Sequence, residues 1–193
     1  MRPRLAVGGV LAAVVAALVL TQCSGDSGTD GTSSAASTVL AGDDTSVDLL
    51  VTPERIPELL RAQFGPEPSL RRINVSRDSI SLELRDPAKP DNIDRWSWRD
   101  GAWTSSPVSV LQREIDEFDQ VVFSPSTIDW SLIPDLVQRA LDGVDLEDES
   151  VDGVSYDRLA GERPRVYIGV DGSRGSGRLI GDADGTNVEV RRN

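Results

Sequence analysis

The sequence predicts an α+β fold: two tandem copies of one helix packed on a four-stranded antiparallel sheet, preceded by an export leader. Three observations support this prediction. An apolar run ends shortly before the sole cysteine, a short amphipathic helix pattern occurs twice, and strand-like runs with hairpin turns follow each occurrence. The predicted segments are a signal peptide at 1–22, a flexible Gly/Ser/Thr/Asp-rich linker at 23–46, a first repeat at 47–120 and a second repeat at 121–193.

The first 22 residues have the pattern of an export signal. Arg2 and Arg4 precede an apolar run from Leu5 to Leu20, which is a charged region followed by a hydrophobic region. This run of 16 residues is shorter than the roughly 20 that an unassisted membrane helix needs. The small and polar tract after Cys23 cannot bury a core and is typical of a flexible linker. We therefore expect the folded part outside the cytoplasmic membrane, on an N-terminal tether.

The residues around Cys23 resemble a bacterial lipoprotein signal, in which aliphatic and small residues precede a cysteine that becomes lipid-modified. Leu20 and Thr21 match that pattern, whereas Gln22 stands where glycine, alanine or serine is usual. The resemblance implies fatty acylation of Cys23, palmitate-like in kind, and a lipid anchor on the extracytoplasmic face of the cell membrane. An uncleaved signal anchor that carries the same domain is the alternative. All basic residues except Lys89 are arginine, which is typical of GC-rich genomes, so the resemblance is to envelope lipoproteins of the actinobacterial kind.

Charge and composition exclude several classes of function. Beyond the leader, 18 basic residues stand against 32 acidic ones, a net charge of −14. Such a chain lacks the basic footprint of nucleic-acid-binding proteins, and anionic lipid headgroups repel it. The chain has no histidine and one cysteine, which excludes a Ser-His-Asp triad, histidine-ligated zinc and an internal disulfide. We therefore predict no enzymatic activity, no cofactor and no metal site.

Two short amphipathic helices are predicted, at 52–65 and 129–143. Each begins with a capping residue, has a proline near its first turn and ends at a glycine. The apolar positions at helical spacing are Ile56, Leu59, Leu60 and Phe64 in the first helix, and Ile133, Leu136, Val137 and Leu141 in the second. Such stripes predict that each helix buries one face.

Strand-like runs follow both helices in a similar order. They lie at 71–76, 79–85, 93–99 and 102–108 after the first helix, and at 151–159, 165–171, 177–183 and 186–191 after the second. Asp100-Gly101 and Asp184-Gly185 separate the last two runs of each set, and Asp-Gly is a strong hairpin signal. Between the two sets, residues 110–126 are predicted to add a helix with Leu111, Ile115 and Phe118 along one face.

This order of elements resembles the PepSY-like modules of exported bacterial proteins. The duplicated fold of the β-lactamase inhibitor protein has a comparable plan. The resemblance covers residues 47–193 and rests on element order alone. It implies a binding or regulatory module that has no catalytic residues.

The hairpin sequence RWSWRDGAW contains the candidate binding residues of the body. With Asp100-Gly101 as a two-residue turn, Trp98 lies opposite Trp103, and Trp96 shares their face. These three tryptophans could form an aromatic platform for a glycan or a protein partner. The other interpretation is that they form the core of the first repeat, because a small sheet must bury one face.

Three further patterns single out no site. The acidic stretch at 141–153 begins like a calcium-binding loop at Asp148, but Leu159 replaces the glutamate that such a loop needs at its twelfth position. The glycine-rich stretch at 169–178 lacks the Lys-Ser/Thr ending of a phosphate loop, so we interpret it as a hairpin loop. Carboxylate pairs such as Glu114 with Glu117 are plentiful among 32 acidic residues and none is distinguished.

The sequence thus favours an exported, lipid-anchored envelope protein that works as a non-enzymatic binding or regulatory module. Its expected partners are the membrane, through the anchor, and an envelope protein or cell-wall component that the sequence does not identify. One alternative is a carrier of an apolar ligand, which needs a large apolar cavity. Another is a hydrolase that uses carboxylates alone.

Overall fold

The computed structural model describes residues 47–86 and 89–193. These residues belong to the second of the two units into which the chain divides, Ala35–Asn193. The predicted signal peptide at 1–22, the linker at 23–46 and the lipid attachment site Cys23 lie outside the described residues. In the part of the chain that the structure covers, no helix has both the length and the apolar character to cross a membrane.

The described residues form one continuous antiparallel sheet of eight strands, in the order β4-β3-β2-β1-β5-β6-β7-β8. The strands are β1 (Leu70–Ser76), β2 (Ser79–Asp86), β3 (Lys89–Arg99), β4 (Ala102–Val108), β5 (Gly153–Asp157), β6 (Arg165–Gly172), β7 (Gly175–Asp182) and β8 (Glu189–Arg192). The α-helices in the described part of the chain are α1 (Arg55–Phe64), α2 (Gln112–Asp116), α3 (Phe118–Val121) and α4 (Ile133–Val144). Single turns of 3-10 helix occupy Pro125–Thr127 and Trp130–Leu132.

The prediction of two tandem helix-on-sheet repeats is wrong. β1 pairs with β5 along residues 72–76 and 153–157, so strands from both halves of the chain share one sheet. Ser155 Oγ donates to Asn74 Oδ1 at 2.7 Å across this seam, and buried side chains from both halves form one core cluster. The physical reason is that β2 pairs with only one edge of β1, and β5 satisfies the backbone groups of the other edge. The boundary between residues 120 and 121 falls within α3 and stays a prediction.

The inner face of the sheet is apolar and carries α1 and α4. Ile56 and Leu60 of α1 are buried, as the helical stripe predicts, and Gly65 ends this helix with a φ of +86° that favours glycine. α4 packs on β6, β7 and β8. It continues through Gly143, where a Cβ would lie 2.9 Å from Val190 Cγ1, so this glycine permits close packing on β8 and does not end the helix as predicted.

The outer face carries a ladder of alternating charges that the sequence analysis missed. Six residues on six adjacent strands stand directly opposite one another in register: Arg95, Glu83, Arg72, Asp157, Arg165 and Asp182. Opposite charges in directly facing positions stabilise strand pairing, and like charges would oppose it. This charge pattern matches the register across the β1–β5 seam as well as within each half.

The connection between the two halves packs on the outer face as two short helices. The single predicted helix is wrong, because α2 ends at Asp116 and α3 begins at Phe118. Phe118 is buried beneath the Arg85 guanidinium, which lies 4.7 Å from its ring centroid. Leu111 precedes α2 and is 66% exposed, so the predicted common face does not form. Glu114 of α2 instead accepts from Arg71 Nη2 at 2.6 Å.

Candidate functional site

The tryptophan hairpin has the predicted register. Trp98 pairs with Trp103, and Arg99 pairs with Ala102 around the Asp100-Gly101 turn. Both turn residues have positive φ, +50° and +78°, which is the conformation of the two-residue turns that match the twist of a hairpin. The local Asp-Gly signal was therefore sufficient to place these aromatic side chains.

The three tryptophans differ in what they contact. Trp98 and Trp103 are 6% and 2% exposed and belong to the core, as the core interpretation expects. Trp96 is only partly buried and packs at the margin of the core. The Phe64 ring of α1 meets Trp96 and Trp103 edge to face, at centroid distances of 5.3 and 5.0 Å. A partner-binding role stays a prediction, and Trp96 is the member of the cluster that borders solvent.

A groove of about 400 Å³ opens beside Trp96. Its lining residues are Gln63, Phe64, Pro68, Ser69, Leu84, Arg85 and Trp96. Its volume falls within the range of roughly 300–1,000 Å³ that is usual for ligand pockets. The sequence analysis identified Phe64 as a core position and Trp96 as a candidate site residue, but it did not predict that the two would border a groove.

The end of α1 creates this groove. α1 stops at Phe64, and residues 65–69 lead the chain away to β1, with Pro68 on the groove wall. Beyond Phe64 no helix of the described residues continues over the inner face of β2 and β3, and Leu84 and Trp96 line the opening there. Leu82 lies directly opposite Trp96 on β2 and is 1% exposed. The covered part of the inner face therefore ends between Leu82 and the groove.

The charged groups near the groove point in different directions. Asp94 lies directly opposite Leu84 and, two residues from Trp96, shares its face of β3. Burial raises the pKa of the Asp94 carboxyl, and repulsion from Asp86 raises it further, while Lys89 lowers it. The Arg85 guanidinium instead donates to the Ile115 carbonyl at 3.2 Å on the outer face. The inner-face neighbour of Leu84 and Trp96 is therefore a carboxylate.

A second, polar pocket of about 160 Å³ lies on the outer face beside α2 and the β1–β5 seam. Four of its charged side chains form ion pairs, since Arg71 bonds Glu114 at 2.6 Å and Arg72 lies 3.5 Å from Asp157. Residues 47–86 and 89–193 contain no group of three or more side chains placed to hold a metal ion.

Comparisons with known proteins assign no family. No protein-family model matches the chain, and no curated protein matches it. A solved structure that does match is that of a putative lipoprotein (CD1622) from Clostridium difficile 630, at 10% sequence identity and a TM-score of 0.47. The match covers 78% of this chain and 96% of that protein. A likeness of this size carries no argument about function.

Proposed function

We propose that this protein is an exported, lipid-anchored envelope protein whose folded part is a non-enzymatic binding module, with the groove beside Trp96 as its binding site. The observation that supports this most directly is an apolar groove of about 400 Å³ between Phe64, Leu84 and Trp96. Grooves with apolar walls and a few polar groups are the usual binding sites of proteins. The envelope location rests on the leader and on Cys23.

The open form of the groove favours docking of part of a larger partner over transport of a small apolar ligand. A carrier buries most of the surface of its ligand, which needs an enclosed cavity. Here the groove opens to solvent beside Ser69, which is exposed. An apolar side chain bound in this groove would remain connected, through the open side, to the rest of the partner molecule.

Binding can be tested with a neutral fluorescent probe, N-phenyl-1-naphthylamine, whose emission rises in apolar surroundings. We expect the parent protein to bind the probe and Ser69→Trp to lose that binding, because the new ring fills the groove. Ser106→Trp is the matched control, since Ser106 is equally an exposed serine but lies on β4 opposite Arg95, on the outer face. Equal probe binding by the parent and by Ser69→Trp would contradict the proposed site.

The lipid anchor can be tested separately by metabolic labelling with a radiolabelled fatty acid in the native host. We expect label in the parent and none in Cys23→Ala, because the thiol is the attachment atom. Gln22→Ala restores the usual small residue before the cysteine and should be labelled at least as well as the parent. Equal labelling of the parent and Cys23→Ala would rule out the anchor.

A further inference from the structure

The described chain begins on the same face of the sheet as the groove. Val47, the first described residue, packs against the core that the inner face forms. Two residues on, the Leu49 amide donates to the Arg77 carbonyl at 2.7 Å, and the Asp48 carboxylate accepts from Arg77 Nη1 at 2.7 Å. The chain therefore enters the fold beside the turn between β1 and β2.

The groove lies towards the other end of β1, at a short distance from this entry point. Trp96 and Ile73 both stand opposite Leu82, so the groove begins four residues along β1 from Arg77. Leu84 stands opposite the first residue of β1, seven residues from Arg77. At about 3.3 Å per strand residue and about 4.8 Å between strands, the groove lining lies about 15–25 Å from the entry point.

The segment that precedes the described residues contains a single apolar pair. Between Cys23 and Val47 the chain consists of glycine, serine, threonine, aspartate and alanine, except for Val39 and Leu40. These two residues lie outside the described residues. Leu40 is seven residues before Val47, and such a length of chain spans at most about 23–25 Å. The pair can therefore reach the groove.

The apolar pair and the groove match in chemistry. Phe64, Leu84 and Trp96 present apolar surface to water, as do the two aliphatic side chains, so contact between them is favourable. A volume of about 400 Å³ has room for both side chains. A segment tethered this close has an effective concentration in the millimolar range, so even a weak contact keeps the groove partly filled.

We infer that, in the absence of a partner, the protein's own linker occupies the groove, with Val39 and Leu40 packed against its apolar walls. A partner then binds by displacing this segment, and its apparent affinity falls by the fraction of time for which the groove is free. This inference rests on the proposed function, because it assumes that the groove is the binding site. It adds the regulation of that site by a segment of the same chain.

The test measures the protection of a thiol placed in the groove. Ser69 lines the groove and is exposed among the described residues, so Ser69→Cys in the full-length protein should react with a neutral maleimide while the groove is free. We expect Val39→Ser together with Leu40→Ser to raise this reaction rate at least about 3-fold, which corresponds to a groove that is free about one third of the time in the parent. Mass spectrometry distinguishes this site from Cys23.

Two controls locate the effect. Ser106→Cys, an exposed position of β4 on the outer face, should react at the same rate whether or not the apolar pair is replaced. Ala35→Ser together with Ala36→Ser makes two changes to serine in the same linker but keeps the apolar pair, and should leave the Ser69→Cys rate unchanged. An equal rise with both linker variants would overturn the role of Val39 and Leu40.

The remaining outcomes separate this inference from the proposed function. If replacement of Val39 and Leu40 leaves the Ser69→Cys rate unchanged, while the parent binds the neutral probe and Ser69→Trp does not, the linker is overturned as the occupant and the groove remains the site. Failure of the probe to bind either the parent or the variant without the apolar pair overturns the proposed function itself. Protection that increases with protein concentration would overturn the intramolecular arrangement and show that a second copy of the chain supplies the segment.

Discussion

Arg95 Nη2 lies 2.7 Å from Glu83 Oε1, and this ion pair holds the one charged side chain that is buried in the described part of the chain. Glu83 is 7% exposed, and its second oxygen accepts from Arg71 Nη1 at 3.4 Å. The two arginines approach from β3 and from the start of β1, so the carboxylate joins three strands. It also occupies the second position of the outer-face charge ladder.

Glu83→Gln should lower the free energy of unfolding by about 1–3 kcal/mol, because it removes the charge that satisfies Arg71 and Arg95 while keeping the shape of the side chain. Asp78→Asn is the control, since its ion pair with Arg99, at 3.5 Å, joins two exposed side chains. That variant should change stability by less than about 0.5 kcal/mol. Urea denaturation measures both, and equal effects would show that burial of Glu83 does not strengthen its ion pairs.

Gly177→Ala should destabilise the protein by about 1–3 kcal/mol, because a Cβ there would lie 2.5 Å from Val144 Cγ1 and force α4 away from β7. Gly169 is the matched position on β6, where an added Cβ meets nothing within 4 Å. Gly169→Ala should be neutral or slightly stabilising, since it reduces the freedom of the unfolded chain. Thermal unfolding distinguishes the two variants. A similar loss in both would mean that strand conformation, and not helix packing, determines the cost.

Tyr156→Phe should leave the protein as stable as the parent or make it up to about 1 kcal/mol more stable. The Tyr156 hydroxyl is buried, and no residue of the described chain accepts its hydrogen bond, so its removal eliminates an uncompensated polar group. The ring itself is needed, because it packs against Trp130 at a centroid distance of 5.6 Å. Tyr156→Ala should therefore cost about 3–5 kcal/mol. A large loss in Tyr156→Phe would reveal a partner for the hydroxyl.

The same hydroxyl makes stability depend on alkaline pH. Burial raises the pKa of Tyr156, and the nearby Asp129 raises it further. The folded protein keeps this hydroxyl neutral, so its titration has no effect on stability below the ordinary tyrosine pKa of about 10 and lowers stability as the pH rises above it, because the unfolded chain releases the proton first. The parent should lose up to about 1.4 kcal/mol per pH unit from this group. Tyr156→Phe should show a flatter decline than Tyr167→Phe, which removes the other, less buried tyrosine.

Local signals in the sequence placed several elements correctly. The stripe containing Ile56 and Leu60 lies in α1, and the Asp100-Gly101 turn sets Trp98 opposite Trp103. The glycine-rich stretch is a tight connection between β6 and β7, with Gly172 opposite Gly175. Each of these features depends on residues that are close together in the chain, so its pattern can be recognised from the sequence alone.

The β1–β5 seam and the groove could not be predicted from such local patterns. Arg72 and Asn74 fit Asp157 and Ser155 across β1–β5, but a chain with 20 basic and 32 acidic residues offers many equivalent pairings. The groove depends on where α1 ends relative to two strands that lie later in the chain. Phe64 was predicted to be a core position and Trp96 to be either a site residue or a core residue, and neither prediction indicates that the two line an opening with Leu84.

The seam between β1 and β5 also governs how this chain can acquire its fold. Asn74 and Ser155, which bond across it, are 81 residues apart, so the central pairing closes a long loop and must form late. A chain that is synthesised from its N-terminus would expose the free edge of β1 until residues 153–157 had followed. An uncovered strand edge is a template for pairing with other chains. Synthesis that stalls before β5 would therefore yield a species prone to association, and addition of the C-terminal half is the step that completes the sheet.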